Sequence, residues 1–215
     1  MIHNLSHTTS ILNTFVAEIR DVSIQTDPLR FRRNMERISE ILGYELSKSL
    51  EYESVSVQTP LGTAETKLMK EKPVLATILR AGLSMHQGLL NYFDRSESAF
   101  VSAYRKHKTA EEFDIAVEYL ASPNLDKKIL IISDPMLATG NSMVTVYKAL
   151  LKQGKPSKVI VVSAIATQEA IDLVRSHLPD HTDIWVAAID KELTAQSYIV
   201  PGLGDAGDLA YGVKI

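Results

Sequence analysis

The stretch that decides the fold reads Ile129-Leu130-Ile131-Ile132-Ser133-Asp134-Pro135-Met136-Leu137-Ala138-Thr139-Gly140-Asn141-Ser142. Four consecutive aliphatic residues are typical of a strand buried on both faces of a parallel sheet. Asp134-Pro135 ends this strand, because proline has no N–H to donate and restricts the residue before it. Helical spacing follows in the apolar residues Met143, Val146, Tyr147, Leu150 and Leu151. The stretch therefore predicts a strand, a tight loop and a helix N-terminus, where backbone N–H groups can bind an anion.

Four more apolar segments have the same strand-like texture, at residues 74–79, 99–104, 159–166 and 183–189. Helical patterns separate them, for example at residues 85–93 and 167–177. Gly154 is the predicted C-cap of the helix that precedes the segment 159–166. This alternation predicts an α/β fold with a doubly wound, mainly five-stranded parallel sheet and flanking helices. Residues 113–119 could form a further β segment.

The N-terminal third predicts helices and a hairpin outside the main sheet. Apolar residues between positions 11 and 19 recur at helical spacing, and a second helix begins at Asp27-Pro28, an N-cap followed by a first-turn proline. Alternating segments flank the turn Thr59-Pro60-Leu61-Gly62. We expect one domain over residues 1–215: a core sheet at about 72–190, with 1–71 and 191–215 forming helices, the hairpin and a small hood.

Composition limits the classes of function. The 215 residues include 23 Lys and Arg against 26 Asp and Glu, a net charge of −3, which argues against a protein built mainly to hold nucleic acid. Cysteine is absent, which excludes a disulfide framework, a thiolate nucleophile and a thiolate zinc site. Neither a signal peptide nor a membrane span is predicted, so we expect a cytoplasmic protein that binds no membrane.

Polar residues follow the predicted strands, and ligands of such sheets bind at the carboxyl ends of the strands. These residues are Arg80, Arg105, Asp134 with its small-residue loop, Thr167 and Asp190. Two arginines beside a loop of the phosphate-binding kind indicate a substrate with several anionic oxygens.

A second informative stretch lies near the C-terminus and reads Tyr198-Ile199-Val200-Pro201-Gly202-Leu203-Gly204-Asp205-Ala206-Gly207-Asp208. Its three glycines and one proline predict neither a helix nor a good strand. Exposed backbone donors and acceptors of such a segment can contact a small planar ligand closely.

Both stretches resemble segments of uracil phosphoribosyltransferases. The first resembles their loop for phosphoribosyl pyrophosphate (PRPP), and the second resembles their uracil-binding segment. Leu79-Arg80-Ala81-Gly82-Leu83 and Tyr104-Arg105 match two further motifs in the same order. The resemblance extends from about residue 29 to residue 212, and the paired stretches are much more specific than the loop alone.

The resemblance implies that uracil and PRPP react to give uridine monophosphate and diphosphate. Its implied catalytic residues are Asp134, Arg105 and Asp205. The implied PRPP-binding residues are Arg80, Arg105, Asp134, Pro135, Met136, Leu137, Ala138, Thr139, Gly140, Asn141, Ser142 and Asp205. The implied uracil-binding residues are Ile199, Gly204, Asp205 and Ala206. Mg²⁺ is expected through PRPP, with Asp205 as the one candidate protein contact. The family also implies a homodimer or higher oligomer and raises the question of a GTP effector.

The chain departs from the family pattern at three places. Asn141 stands where a second glycine is common, and residues 209–213 replace a basic residue and an aromatic-Gly-Thr ending. The polar segment 107–112 after Arg105 diverges and is a candidate lid. Two alternative functions stay open: an RNA-binding regulator of pyrimidine genes on the same fold, and an enzyme with another base specificity on the same scaffold. The support for the regulator is a basic face formed by the arginines at positions 30, 32, 33 and 37.

Overall fold

The structure is a computed structural model that describes residues 1–107 and 113–214, without the side chains of residues 104–107 and 113–116. Its strands are β1 (Ile2–Asn4), β2 (Tyr52–Thr59), β3 (Gly62–Met69), β4 (Val74–Leu79), β5 (Glu97–His107), β6 (Phe113–Ala121), β7 (Ile129–Ser133), β8 (Met136–Leu137), β9 (Lys158–Thr167), β10 (Asp183–Asp190), β11 (Glu192–Leu193) and β12 (Ile199–Val200). Its α-helices are α1 (Leu12–Arg20), α2 (Pro28–Ser47), α3 (Leu83–Tyr92), α4 (Asn141–Leu150), α5 (Gln168–His177) and α6 (Ala206–Tyr211). Short 3-10 helices cover Leu5–His7 and Leu151–Gln153.

The main sheet has the strand order β1-β10-β9-β7-β4-β5-β6, with β8 paired to β9. Its five long central strands β10, β9, β7, β4 and β5 are parallel, which confirms the predicted doubly wound α/β sheet. Strand β6 is antiparallel to β5 and confirms the further β segment.

Helices cover both faces of this sheet. On one face, Leu75 and Ile131 pack in a cluster with buried residues of α1, α2, α3 and α6. On the other face, Leu130 and Ile132 pack with α4 and α5. Since successive side chains of a strand point to opposite faces, a strand covered on both sides needs the unbroken aliphatic run seen in the sequence. Each such aliphatic side chain stabilises the fold by about 1.5–3 kcal/mol on burial.

Local sequence signals in the N-terminal third are confirmed. The Asp27 side chain accepts hydrogen bonds from the N–H groups of Leu29 and Arg30, and it therefore caps α2. Strands β2 and β3 form the predicted exposed antiparallel hairpin. Outside that third, Gly154 is the C-cap of the 3-10 helix that follows α4, and a helix C-cap at this residue was predicted.

Two features differ from the sequence-based expectation. The C-terminal stretch was expected to contain no helix, but α6 begins within it, because Asp205 caps the helix by accepting a hydrogen bond from Asp208 N–H at 3.0 Å. Strand β1 was not predicted; it joins the sheet edge by pairing with β10. The division into a core and flanking segments stays a prediction. Among the described residues, no helix combines the length and apolarity that a membrane crossing requires.

Candidate active site

The sheet register brings four of the predicted strand-end residues to one edge. Ser133 pairs with Thr77 and Val162, so Asp134 leaves the sheet near the end of β4 and beside the middle of β9. Thr167 pairs with Asp190 at the ends of β9 and β10. Arg80 follows β4 directly, after a cis peptide bond from Leu79. This edge therefore holds Arg80, Asp134, Thr167 and Asp190 together.

The fifth predicted residue, Arg105, lies on β5 three positions beyond Ser102, which pairs with Leu79. Its side chain lies outside the described part of the chain, as do residues 108–112 of the candidate lid. The assigned role of Arg105 therefore stays a prediction.

The 134–142 loop is fixed to the neighbouring strand and ends at an open helix N-terminus. Thr167 Oγ1 donates a hydrogen bond to the Ala138 carbonyl oxygen at 2.7 Å. Gly140, the residue before α4, has φ +81° and offers no side-chain acceptor to the first N–H groups of the helix. Such N–H groups and the positive end of the helix dipole attract a phosphate.

The left-handed position of this loop is Gly140, not Asn141. Asn141 is the first residue of α4, and the positive-φ residues outside glycine are Lys127 and Ser197 in the part of the chain that the structure describes. A β-carbon on Gly140 would lie 2.9 Å from the Ala170 carbonyl oxygen. The departure at Asn141 therefore does not place a side chain at the strained position.

Since the resemblance implies that this loop binds PRPP, we expect Gly140→Ala to raise the KM for PRPP at least about fivefold. The variant should also lower stability by about 1–3 kcal/mol, because alanine is strained at positive φ and must displace the Ala170 backbone. The matched variant Asn141→Gly should leave the KM for PRPP within about twofold of the parent. Initial-rate kinetics and thermal unfolding measure both quantities. A larger kinetic effect in Asn141→Gly than in Gly140→Ala would refute this assignment of the strained position.

Asp134 is a half-buried acid of the site. Desolvation raises the pKa of Asp134 to about 7, although the Met136 backbone N–H donates to its carboxylate and lowers the pKa in part. Strongly perturbed acids at a strand edge are typical of functional sites. Asp134 can therefore change its charge near neutral pH, and a nearby cation or hydroxyl donor would favour the ionised form.

Arg80 connects the carboxyl end of β4 to the C-terminal stretch. Its Nη2 lies 3.0 Å from Asp208 Oδ1, while 40% of the arginine side chain remains exposed. Because a pair this exposed is weakly held, the guanidinium can also reach an anionic ligand. The contact places this arginine next to the first turn of α6.

Asp205 has both carboxylate oxygens engaged. Its Oδ1 accepts from Asp208 N–H at 3.0 Å, and its Oδ2 lies 3.2 Å from Lys214 Nζ. Burial alone would raise the pKa of Asp205, but the Asp208 N–H and the Lys214 ammonium outweigh burial and hold the pKa below its usual value. Asp205 is therefore ionised at neutral pH, whereas Asp134 is only partly ionised there.

The other predicted uracil-binding residues surround an open stretch of backbone. Ile199 and Ala206 are each 4% exposed, so they are fixed in the core. Gly204 is exposed, has φ +94°, and has no atom within 4 Å of the place where a β-carbon would stand. A planar ligand can approach the backbone here without meeting a side chain.

The described residues favour an indirect site for Mg²⁺. They contain no group of three or more His, Asp or Glu side chains that could hold a metal ion. Asp205, the one candidate protein contact, already uses both oxygens. Since Mg²⁺ is often held through substrate phosphates and water, this donor set fits an ion that arrives with its substrate.

The arginine face of α2 is engaged in contacts within the chain. Each of its four guanidinium groups has a protein acceptor: the pairs are Arg30 with Glu18 (2.7 Å), Arg32 with the Ala210 carbonyl (2.7 Å), Arg33 with Glu36, and Arg37 with Asn34 (3.1 Å). Arg32 and Arg37 are therefore partly buried in the fold, whereas the pairs of Arg30 and Arg33 are exposed and weakly held.

Several residues around the site could not be assigned from the sequence. Asp208 lies in the quoted C-terminal stretch, and its acidic side chain was the sequence signal that could have indicated an ion pair with Arg80. Lys214 beside Asp205 and Arg20 beside Asp190 carried no such signal. Asp190 is 170 positions from Arg20, so only the fold brings that pair together, and Lys214 reaches Asp205 across the nine residues that include α6.

Sequence comparison identifies close relatives. The sequence model described as uracil phosphoribosyltransferase matches residues 6–213. A protein named uracil phosphoribosyltransferase from Porphyromonas gingivalis is 59% identical over 206 residues, which cover 96% of this chain and 95% of the relative. A protein of the same name from Methanococcus vannielii is 37% identical over 193 residues, which cover 88% and 82% of the two chains.

Structure comparison agrees with the sheet topology. The AQ2163 protein from Aquifex aeolicus superposes with a TM-score of 0.87 at 30% identity, and the match covers 100% of both chains. A hypoxanthine phosphoribosyltransferase from Staphylococcus aureus matches with a TM-score of 0.50 at 16% identity over 75% of this chain and 76% of that chain. At that identity the second likeness concerns the fold alone.

Proposed function

Since the chain belongs to the uracil phosphoribosyltransferase family, we propose that its strand-edge site joins uracil to the ribose of PRPP. Uracil N1 bonds to C1 of PRPP while the bond from C1 to diphosphate breaks and the N1 proton passes to water or to the released diphosphate, which gives uridine monophosphate. The observation that carries the proposal is the 3.0 Å contact between Arg80 and Asp208. This contact joins the carboxyl end of β4, where Arg80 would bind an anion, to residues 198–208, which we call the base-binding segment. The two substrates would meet at this contact.

PRPP would lie along the carboxyl ends of the strands, where three sets of protein groups would bind its 5′-phosphate, its ribose and its diphosphate. The N–H groups of residues 137–142 and the hydroxyls of Thr139 and Ser142 would hold the 5′-phosphate, as at other helix N-termini. Asp134 would accept hydrogen bonds from the ribose hydroxyls. Arg80 and Arg105 would neutralise the diphosphate, because the planar fork of N–H donors in a guanidinium group matches the oxygens of a phosphate.

Mg²⁺, when bound with PRPP, supplies charge neutralisation for the diphosphate. The protein's own contribution at that end would be the positive charge of Arg80 and Arg105. Asp205 would orient the turn that separates the diphosphate from the base, since it caps α6 while contacting Lys214.

Uracil would be recognised by backbone groups of the 204–206 turn. Its N3–H donor stands between two carbonyl acceptors, a pattern that one backbone carbonyl and its flanking N–H groups can match. Cytosine has an acceptor at N3 and would leave a carbonyl facing a lone pair. Leaving such buried groups unpaired discriminates strongly against the wrong base.

The protein would contribute little covalent chemistry to the transfer. Breaking a glycosyl bond generates an oxocarbenium-like transition state, whose positive charge an ionised carboxylate stabilises. Asp134 at the ribose would serve this purpose, while the arginines stabilise the departing diphosphate. The catalysis is therefore mainly positioning and electrostatics.

The proposed function predicts base-selective consumption of PRPP. With Mg²⁺ present, the purified protein should release diphosphate from PRPP when uracil is added, with kcat/KM for cytosine at least about a thousandfold lower. A coupled diphosphate assay with uracil, cytosine and hypoxanthine measures this selectivity. Equal rates with cytosine, or turnover with hypoxanthine alone, would contradict the assignment of uracil.

The family match and the named relatives give the RNA-binding alternative no support. The homodimer, the GTP effector and the cytoplasmic location stay predictions. The family resemblance and the sequence composition are their support.

A further inference from the structure

The base-binding segment is attached to the sheet by a buried ion pair that the proposed function does not use. Arg20, the last residue of α1, donates from Nη1 to Asp190 Oδ2 at 2.7 Å and from Nη2 to Asp190 Oδ1 at 2.8 Å. Asp190 ends β10 and is 7% exposed, and the Arg20 side chain is 21% exposed. This two-bond fork is the most constrained geometry that an arginine and a carboxylate can form.

The ion pair holds both backbone polar groups of a single residue in the base-binding segment. Gly202 N–H donates to Asp190 Oδ2 at 2.9 Å, and the Gly202 carbonyl accepts from Arg20 Nη1 at 3.0 Å. Gly202 is buried. Its position is therefore determined by α1 and β10 together, although both are distant from it in sequence.

Gly202 transmits this constraint to the predicted uracil-binding residues on either side. It turns the chain at φ +53°, and a β-carbon there would meet the Ile199 carbonyl oxygen at 2.0 Å. Ile199 precedes this turn, and Gly204 follows Gly202 by two residues. The ion pair thus sets the spacing between the two halves of the uracil-binding segment.

Arg20 is also held by a hydrogen bond to its backbone. Gln25, a buried residue, donates from Nε2 to the Arg20 carbonyl at 2.9 Å, so the end of α1 does not depend on the ion pair alone. A buried ion pair contributes little net stability, since desolvation of the two charges offsets their attraction. Its place between α1, β10 and Gly202 indicates a role in geometry.

We propose that Arg20 and Asp190 are positioning residues for the base: they hold Gly202 so that Ile199 and the 204–206 turn face uracil with the correct spacing. The proposal rests on the proposed uracil-binding role of that segment. Neither residue touches the PRPP loop in the described contacts, so their loss should affect uracil much more than PRPP.

The test compares Arg20→Lys with the matched control Arg30→Lys. Lysine keeps the charge but cannot make the fork. Arg30 forms the same kind of fork with Glu18, at 2.7 Å for both bonds, without contacting the base-binding segment. We expect Arg20→Lys to raise the KM for uracil about tenfold while the KM for PRPP stays within about twofold; Arg30→Lys should leave both within about twofold.

The outcomes separate the positioning role from general destabilisation. The proposal is overturned if Arg20→Lys changes neither KM, changes both in the same ratio, or matches Arg30→Lys. Should Arg20→Lys not fold, Asp190→Asn decides, because asparagine can still accept from Gly202 N–H but loses the charged fork: a raised uracil KM supports the proposal, and an unchanged one overturns it. A parent protein that makes no uridine monophosphate would instead overturn the proposed function and this inference with it.

Discussion

Asp134→Asn is expected to reduce turnover at least about a hundredfold while making the protein more stable at pH 8. The loss of turnover follows from the proposed role of the Asp134 carboxylate beside the ribose, where positive charge develops. The gain in stability follows from desolvation, which raises the pKa of Asp134 to about 7. Asparagine has nearly the same shape as aspartate and carries no charge to desolvate.

The pH dependence fixes the sign of this effect. Between about pH 4 and pH 7 the unfolded chain has released the Asp134 proton while the folded chain keeps it, so the stability of the parent falls as pH rises through this range. Above pH 7 the ionised group destabilises the fold by about 2 kcal/mol, after allowance for its partial accessibility. Asp134→Asn should remove that penalty at pH 8 and change little at pH 4.

Thermal unfolding at the two pH values and steady-state kinetics measure both expectations. Asp172→Asn, an exposed acid on α5, is the control and should alter neither the stability difference between the two pH values nor the turnover. An equal rise in melting temperature at both pH values would exclude desolvation as its cause. Retained turnover in Asp134→Asn would exclude a catalytic role for the charge.

Asp205→Ala is expected to lose about a hundredfold in turnover and about 1 kcal/mol in stability. Alanine removes the cap of α6 and the contact with Lys214 together. Asp205→Asn separates these effects, because asparagine caps a helix as well as aspartate does but lacks the charge. We expect Asp205→Asn to recover the stability and not the turnover.

Melting temperature and kcat for the two Asp205 variants measure this separation. Asp27→Ala removes the cap of α2 and is the control: it should cost similar stability and leave turnover within about twofold of the parent. If Asp205→Asn recovered both stability and turnover, Asp205 would act through the helix cap alone.

The predicted parts of the fold rest on local signals. The run Ile129–Ser133 has no polar interruption until its last residue, and burial on both faces of a sheet requires such a run. Asp27-Pro28 combines a side-chain acceptor with a residue whose backbone is already helical, so the start of α2 needed no tertiary information. The strand-end residues followed from one topological rule.

The unpredicted parts depend on contacts between distant residues. Helix α6 lies in a glycine-rich stretch because Arg32 binds the Ala210 carbonyl and Ser84 hydrogen-bonds to Tyr211, in addition to the local cap by Asp205. Strand β1 is three residues long and gains its order from β10. The Arg20–Asp190 pair joins residues 170 positions apart, so no local pattern could indicate it.

The most direct test of the proposed function is a phosphorus NMR time course of PRPP with the purified protein, Mg²⁺ and uracil. PRPP should disappear only when uracil is present, and each molecule consumed should yield one diphosphate and one uridine monophosphate. Consumption of PRPP that does not depend on uracil, or diphosphate without uridine monophosphate, would contradict it.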